Sequence, residues 1–344
     1  LTTLEHGETS IVERIRRTDE RVHVSIGAVC NNNCVFCMEE DREGRYVNNS
    51  AMTTERVRWV LESNRGAHEV CFTSGEPTTR DDLPQMIEWA KELGYPRISI
   101  MTNGRRMGHL PYTVALVKRG LNRVYISIHG HEKHLHEGQT RTPGSFAQTV
   151  AGLDAVARVA PHGVELHTST VITKRNLPHF SDIYRFLRSH GVAQVVFNVM
   201  QANGRAHTFF DQLFPPYNEI AAQFRSFLDD AAEPRPMAFL VDIPLCTTEG
   251  VADFNRGFVE KSRHFDLETQ VDMPHEQREE RRAAGGGKGL LKVTRADLDD
   301  AQRDKRPECA TCRYDSVCEG VWRNYLLRYG WDEMVPVAQP NAAE

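Results

Sequence analysis

From Val22 to about Asp230, short runs that alternate apolar and polar residues are followed in turn by longer stretches with helical spacing. A repeated strand-then-helix signal is the mark of β-α units built around a parallel sheet. The pattern predicts strands over 22–29, 68–74, 97–102, 123–129, 164–172 and 194–200. It predicts helices over 53–65, 81–93, 112–120, 145–160 and 178–190, with another at 217–230 after the last strand. Thr53 ahead of Arg56, and Asp81-Asp82 ahead of Leu83-Pro84, are helix-start signals; Gly94, Gly120 and Gly191 stand where helices should stop.

The strands of a closed parallel barrel, buried on both faces, read as nearly unbroken apolar runs. These alternate instead. One face carries Val22, Val24, Ile26, Val70, Phe72, Ile98, Ile100, Val124, Ile126, Ile128, Val195, Phe197 and Val199. The other carries His23, Ser25, Gly27, Cys71, Thr73, Ser99, Met101, Asn103, Ser127, His129, His167, Ser169, Asn198 and Met200. With the first set packed on helices, the second lines a lumen too polar for a dry core. The expected fold is α/β: a partial (β/α)6 TIM-like barrel with an open side. Strand five is ambiguous, because Thr168 and Thr170 can equally be its lumen side.

After residue 230 the rhythm stops. Pro215-Pro216, Pro234 and Pro236 mark a hinge, and a further strand candidate, 238–241, precedes Cys246. The charged run 276–282 and the glycines of 285–289 read as a surface loop, since no strand precedes them and a phosphate-loop spacing is missing. The predicted division is an N-terminal arm over 1–21, a barrel over 22–230 and a small C-terminal domain over 231–344.

Composition sets outer bounds. A chain of 344 residues, 40% hydrophobic, is long enough to bury a core without disulfides. Its net charge of −5 and pI near 6.3 supply no basic field for phosphate backbones, which argues against nucleic acid as a partner. No signal peptide and no apolar run near the length of a membrane span is visible, so the expected address is the cytoplasm.

Seven of the eight cysteines fall into two ligand-like groups, which favours metal over disulfides. Cys30, Cys34 and Cys37 lie within eight residues directly after the first strand. Three thiolates leave a structural tetrahedral zinc site one ligand short, whereas an iron–sulfur cubane on three thiolates keeps one iron free. The second group is Cys309, Cys312 and Cys318, with Cys246 upstream as the plausible fourth member. Four thiolates can hold a closed four-iron cluster or a zinc ion.

The C-x3-C-x2-C spacing, with aromatic Phe36 just before the last cysteine, resembles the radical S-adenosylmethionine (radical SAM) superfamily. That resemblance implies a [4Fe-4S] cluster on Cys30, Cys34 and Cys37 that binds S-adenosylmethionine and donates one electron to cleave it. The product, a 5'-deoxyadenosyl radical, then takes hydrogen from a substrate. Ser74-Gly75-Glu76 resembles the family's GGE motif, implying a grip by Gly75 and Glu76 on the cofactor's amino group. By the same resemblance Ser127 bonds the ribose, Arg141 pairs the carboxylate, and the backbone of Phe36 meets the adenine. Asn203-Gly204-Arg205-Ala206 is similar to a family ending after strand six.

The C-x2-C-x5-C piece at Cys309 to Cys318 resembles the SPASM and twitch extensions of that family, but Trp322 stands where a full SPASM domain has another cysteine. A shortened domain with one auxiliary [4Fe-4S] cluster, on Cys246, Cys309, Cys312 and Cys318, is therefore expected, aiding oxidation or cross-linking.

Alternation aims His129 and Cys71 inward, making them the catalytic candidates. His131, His134 and His136 read instead as an exposed loop and helix start, although a zinc site there is conceivable. Two substrates compete, a ribosomal peptide and a small metabolite, with flavodoxin or ferredoxin as the expected reductant. Little length precedes residue 22 for a leader-binding domain, and there is no room for a cobalamin-binding one. The reading from another class is a non-catalytic iron–sulfur electron carrier, which has no use for Gly75-Glu76 or a polar lumen.

Overall fold

All six predicted strands and their helices form. In the computed structural model, which describes residues 21–37, 53–200, 204–231, 236–255, 262–267, 290–294, 303–316, 318 and 320–338, they are β1 (Arg21–Ser25), α1 (Thr54–Ser63), β2 (Glu69–Thr73), α2 (Leu83–Glu92), β3 (Arg97–Thr102), α3 (Leu110–Arg119) and β4 (Arg123–Ser127). There follow α4 (Lys133–Thr140), α5 (Ser145–Val159), β5 (Glu165–Ile172), α6 (Phe180–Ser189), β6 (Gln194–Val199), α7 (Arg205–Thr208), α8 (Phe210–Leu213) and α9 (Tyr217–Asp230). The predicted arm apart from Arg21, the charged run 276–282, the glycines of 285–289 and Asn203 lie outside the described residues.

Strands β1 to β6 pair in sequence order and in parallel. The sheet runs beyond six strands at both edges. β7 (Ala238–Val241) joins β6 in parallel, with Ala238 opposite Val195 and Leu240 opposite Phe197, all four fully buried. On the other edge β8 (Ser262–Leu267) adds in parallel to β1, and β9 (Leu290–Thr294) adds antiparallel to β8. The architecture is an α/β partial TIM-like barrel.

Register resolves the fifth strand. Tyr125 pairs with His167 and Ser127 with Ser169, while Ile126 pairs with Thr168. Paired residues of neighbouring strands share a face, so His167 and Ser169 line the lumen. Thr168 and Thr170 lie on the helix side, where Thr170 Oγ1 donates to Ile128 O at 2.6 Å.

The first positions of β1, β2, β4 and β5 close the lumen with paired charge. Glu69 accepts from Ser99 Oγ at 2.6 Å and from Arg123 Nη1 at 3.0 Å, and pairs with Arg21 at 3.1 Å. Arg123 also holds Glu165, and Arg21 Nη2 donates to the Tyr125 hydroxyl at 2.6 Å. Each charge has an opposite partner, which offsets part of the cost of burying it.

The C-terminal segment contributes the small antiparallel pair β10 (Arg303–Asp304) and β11 (Val321–Trp322), then α10 (Arg323–Tyr329). It docks on α9 through Tyr325, whose ring stacks on Tyr217 at 3.8 Å and whose hydroxyl accepts from Tyr217 N at 3.0 Å. Arg303 reaches Asp242 at 3.0 Å and lies 4.0 Å over the Trp322 ring. Trp322, the residue at the missing cysteine position, is thus part of this packing.

Glu69→Ala strands the buried Arg21 and Arg123 and is expected to cost about 3–5 kcal/mol. Glu165→Ala removes a far more exposed partner and is expected to cost under about 1 kcal/mol. Urea unfolding followed by circular dichroism measures both, and equal losses would refute this account of the lumen floor.

Candidate active site

β1 stops four residues short of its predicted end because the chain leaves the ladder to cross the turn after β2. Glu76 N donates to Val29 O at 2.8 Å, and a Cβ on Gly75 would lie 2.5 Å from that same oxygen. Only glycine fits there. Ser74 and Gly75 both have positive φ, 69° and 56°, so the first residue of the turn tolerates a side chain and the second does not. Ser74 Oγ donates to Ser25 Oγ at 3.0 Å.

The Glu76 carboxylate, 2% exposed, is the hub of this corner. Its Oε1 accepts from Thr78 N at 3.1 Å, Thr78 Oγ1 at 2.6 Å and Thr102 Oγ1 at 2.6 Å, and its Oε2 accepts from Asn103 N at 2.7 Å. Burial raises its pKa above the ordinary carboxylate value, against the pull of those four bonds. The four donors join the end of β2 to the end of β3.

The cysteine loop carries three asparagines between Cys30 and Cys34, and each is used. Asn31 accepts at its carbonyl from Arg105 Nη1 at 2.6 Å and at its side chain from Asn103 Nδ2 at 2.6 Å. Asn32 Oδ1 accepts from Arg105 Nη1 at 3.0 Å, and its N–H points at Cys30 Sγ at 3.4 Å. Asn33 Oδ1 and Cys34 O accept from Arg205 Nη1 at 2.6 and 3.0 Å, while Arg205 N donates to Cys37 O at 3.0 Å. From the far side, Asn33 N and Val35 N donate to the carbonyls of Thr140 and Gln139 at 3.0 and 2.9 Å. Cys30, Cys34 and Cys37 are part-buried cysteines. Their donor set, with a backbone N–H aimed at sulfur and two arginines gripping the loop, suits an anionic iron–sulfur cluster.

His136, predicted to be exposed, is fully buried. The reason is α4, whose inner face presents Leu135, His136, Gln139 and Thr140. His129 N donates to His136 Nδ1 at 3.2 Å, Val171 N donates to His129 Nδ1 at 3.2 Å, and the His129 carbonyl accepts from Gln139 and Asn176. Both rings therefore carry their proton on Nε2. Burial pushes the His129 pKa well below its ordinary value, helped by His136, and pushes His136 down to about 4, helped by Arg105. His129 also meets Phe36 edge-on, 4.7 Å between centroids, so the aromatic before Cys37 packs on this histidine.

Ser127 is half-buried at the end of β4, beside Ser169. Arg141 is exposed in left-handed conformation at the end of α4, one residue after the Thr140 carbonyl that holds the cysteine loop. Cys71 is fully buried in β2, between His23 and Ser99 in register. The clamps Arg105, Asn103 and Gln139 were not among the predicted site residues; the polar run 31–33, which needs partners wherever it is buried, is the signal that points to them.

In the C-terminal segment Cys246, on the short turn after β7, comes into electrostatic range of Cys309, Cys312 and Cys318. Burial first, then the neighbouring Cys318, Cys312 and Cys309, push the Cys246 thiol up to about 12. Burial also raises Cys318. Gly320 N and Val337 N point at the sulfurs of Cys318 and Cys312, each at 3.4 Å. Four thiols gathered in this way fit a metal centre, since a bound cation removes the penalty that burial puts on the thiolates of Cys246 and Cys318. No described helix is long and apolar enough to cross a membrane.

Comparison with known proteins accords with this geometry. Residues 24–187 match the family model described as the Radical SAM superfamily. The chain is 27% identical over 225 residues to a probable GTP 3',8-cyclase of Sulfurisphaera tokodaii, covering 65% of this chain and 68% of that protein. It is 28% identical over 202 residues to an AdoMet-dependent heme synthase of Oleidesulfovibrio alaskensis, covering 58% of this chain but 50% of that protein. Among solved structures, Streptococcus suis SuiB bound to precursor peptide SuiA matches with a TM-score of 0.61 at 12% identity, covering 95% of this chain and 77% of SuiB. At that identity the likeness is one of fold.

The histidine pair gives a pH signature. A His136 pKa near 4, against about 6.5 unfolded, means that the unfolded chain binds more protons between those values, so stability is complete above pH 6.5 and falls as pH drops towards 4. The loss from His136 between pH 7 and pH 4 is expected to be about 3 kcal/mol. Chemical denaturation at stepped pH should show a shallower slope in His136→Gln; identical slopes would mean that this imidazole is not held neutral by the fold.

Proposed function

We propose that the chain, whose residues 24–187 match the Radical SAM superfamily model, is a radical SAM enzyme that cleaves S-adenosylmethionine reductively and functionalises an unreactive C–H bond of its substrate. The observation that carries this reading is the three-thiol loop, clamped by Arg105 and Arg205 and seated against the Gly75-Glu76 turn. Cys30, Cys34 and Cys37 would hold a [4Fe-4S] cluster, which together with S-adenosylmethionine supplies one electron and a 5'-deoxyadenosyl radical.

The chain's own residues bind and exclude. The corner made by Glu76 fixes the backbone of Ser74 and Gly75 against the cysteine loop, offering carbonyls to an ammonium. Ser127 donates to a ribose, Arg141 meets a carboxylate, and the backbone of Phe36 meets the adenine. His129 positions Phe36, which its ring meets edge-on, while its own ring is fixed by Val171 N at Nδ1. Cys246, Cys309, Cys312 and Cys318 would hold an auxiliary [4Fe-4S] cluster, adding a place for electron removal or substrate binding. Flavodoxin or ferredoxin would supply the electron.

A ribosomally made peptide is the favoured substrate, supported by the fold shared over 95% of the chain with SuiB, which is described with a precursor peptide. A small metabolite is the second reading, supported by the sequence relatives named for a GTP cyclase and a heme synthase.

Anaerobic reconstitution, reduction with dithionite and chromatography for 5'-deoxyadenosine test the proposal. Wild type should form it, Cys34→Ala should form none, and Cys312→Ala should retain cofactor cleavage while losing substrate product. No cleavage by wild type under dithionite or flavodoxin would favour the electron-carrier reading, and equal loss in both variants would overturn the role given to the second thiol group.

A further inference from the structure

Among the described residues, and apart from the cysteines, one set of ligand-type side chains is gathered beyond the end of β4. His131 follows β4, His179 ends the short turn Leu177–His179, and Asp182 sits in the first turn of α6. One ligand atom from each lies within 4.8 Å of the other two. Two imidazoles and a carboxylate with a fourth position open are a donor set suited to zinc.

The hydrogen bonds around the group have the arrangement such a site needs. His131 Nε2 is 3.2 Å from Glu132 Oε1, which places the ring proton on Nε2 and leaves Nδ1 as a bare lone pair. That Nδ1 is buried and has no hydrogen-bond partner. A carboxylate behind a histidine, fixing its tautomer and raising its basicity, is the usual support of a metal-bound imidazole. Arg185 Nη2 donates to Asp182 Oδ1 at 2.6 Å and so orients the carboxylate with Oδ2 turned to His179.

The remaining distance decides between a hydrogen bond and a shared ion. His179 Nδ1 and Asp182 Oδ2 are 3.4 Å apart. That is long for a hydrogen bond to an ionised carboxylate, yet two ligands of a tetrahedral ion with bonds of about 2.0–2.1 Å stand roughly 3.3 Å apart. The His131 and His179 rings are 5.4 Å apart between centroids and tilted by 49°, so neither stacks on the other.

We propose that His131, His179 and Asp182 bind a divalent transition-metal ion, zinc in particular, with water as the fourth ligand. The ion clips the loop after β4 to the start of α6. His131 lies two residues past His129, whose ring packs on Phe36 of the cysteine loop, so the clip braces the wall of the cofactor site from outside. It takes no part in the cysteine chemistry and does not depend on it.

The test uses the full chain with its iron–sulfur centres reconstituted anaerobically, exposed to zinc chloride alone and then desalted. Zinc per chain is measured by mass spectrometry and its ligands by X-ray absorption at the zinc edge. Wild type should retain one zinc with nitrogen and oxygen neighbours. His179→Ala and Asp182→Asn, both at part-exposed positions, should each weaken zinc binding about a hundredfold while keeping the wild-type circular dichroism spectrum. The proposal is overturned if wild type retains no zinc, if the neighbours are sulfur alone, or if both variants retain zinc as wild type does.

Discussion

Two backbones cross at Gly75 with no space for a side chain between them, and the whole upper end of the sheet is arranged around that crossing. The contact brings Val29, the last residue before the cysteine loop, onto the turn that follows β2. Glu76 then passes the constraint on. Its carboxylate collects donors from Thr78, Thr102 and Asn103, and the amide of Asn103 goes to Asn31 inside the loop. A buried carboxylate that accepts from four donors is stiff, because loss of any one of them leaves charge less well matched in a low-dielectric site. The position of the three thiols is therefore set by hydrogen bonds that begin on two neighbouring strands.

The lumen is polar at both ends, and the two ends solve the cost differently. At the floor, arginine meets glutamate and each charge is matched within the protein. At the mouth, matching is applied to the frame while the thiols are left part-buried for a ligand. Hydrophobic stabilisation comes from the opposite face, where Val22, Val24, Phe72, Ile100, Ile126 and Val195 are wholly buried against helices. Separating the two tasks lets the inner face stay chemical without weakening the fold.

The same separation explains what the sequence revealed. Strands and helices were legible because most strands have one apolar side, β5 with Thr168 and Thr170 on its helix side being the ambiguous one, and β7 was legible as a strand though not as part of the sheet, a matter of pairing rather than pattern. His136 was misread because α4 is short and mostly polar, so its inward stripe, Leu135, His136, Gln139 and Thr140, does not look like a core face. The cysteine spacing marked the loop as a candidate metal centre. Arg105 did not announce itself, since it lies 74 residues from the carbonyl it holds and nothing local marks it; Arg205 stood in the noted stretch 203–206, but its grip on the cysteine loop 172 residues away was not legible there.

The two thiol groups also differ in how their surroundings treat negative charge. Around Cys30, Cys34 and Cys37 two arginines bond the loop directly, so a thiolate-bearing centre meets positive charge on arrival. Around Cys246 burial and three neighbouring thiols act together, and the thiol is pushed up to about 12. Charge there has to come from whatever the thiols bind. Yet the C-terminal segment does not hang on those thiols alone, because the Tyr217–Tyr325 stack and the Arg303–Asp242 pair dock it by ordinary packing. Binding at the second group would then add to an interface that already exists, whereas binding at the first would fill a loop that other elements have shaped in advance.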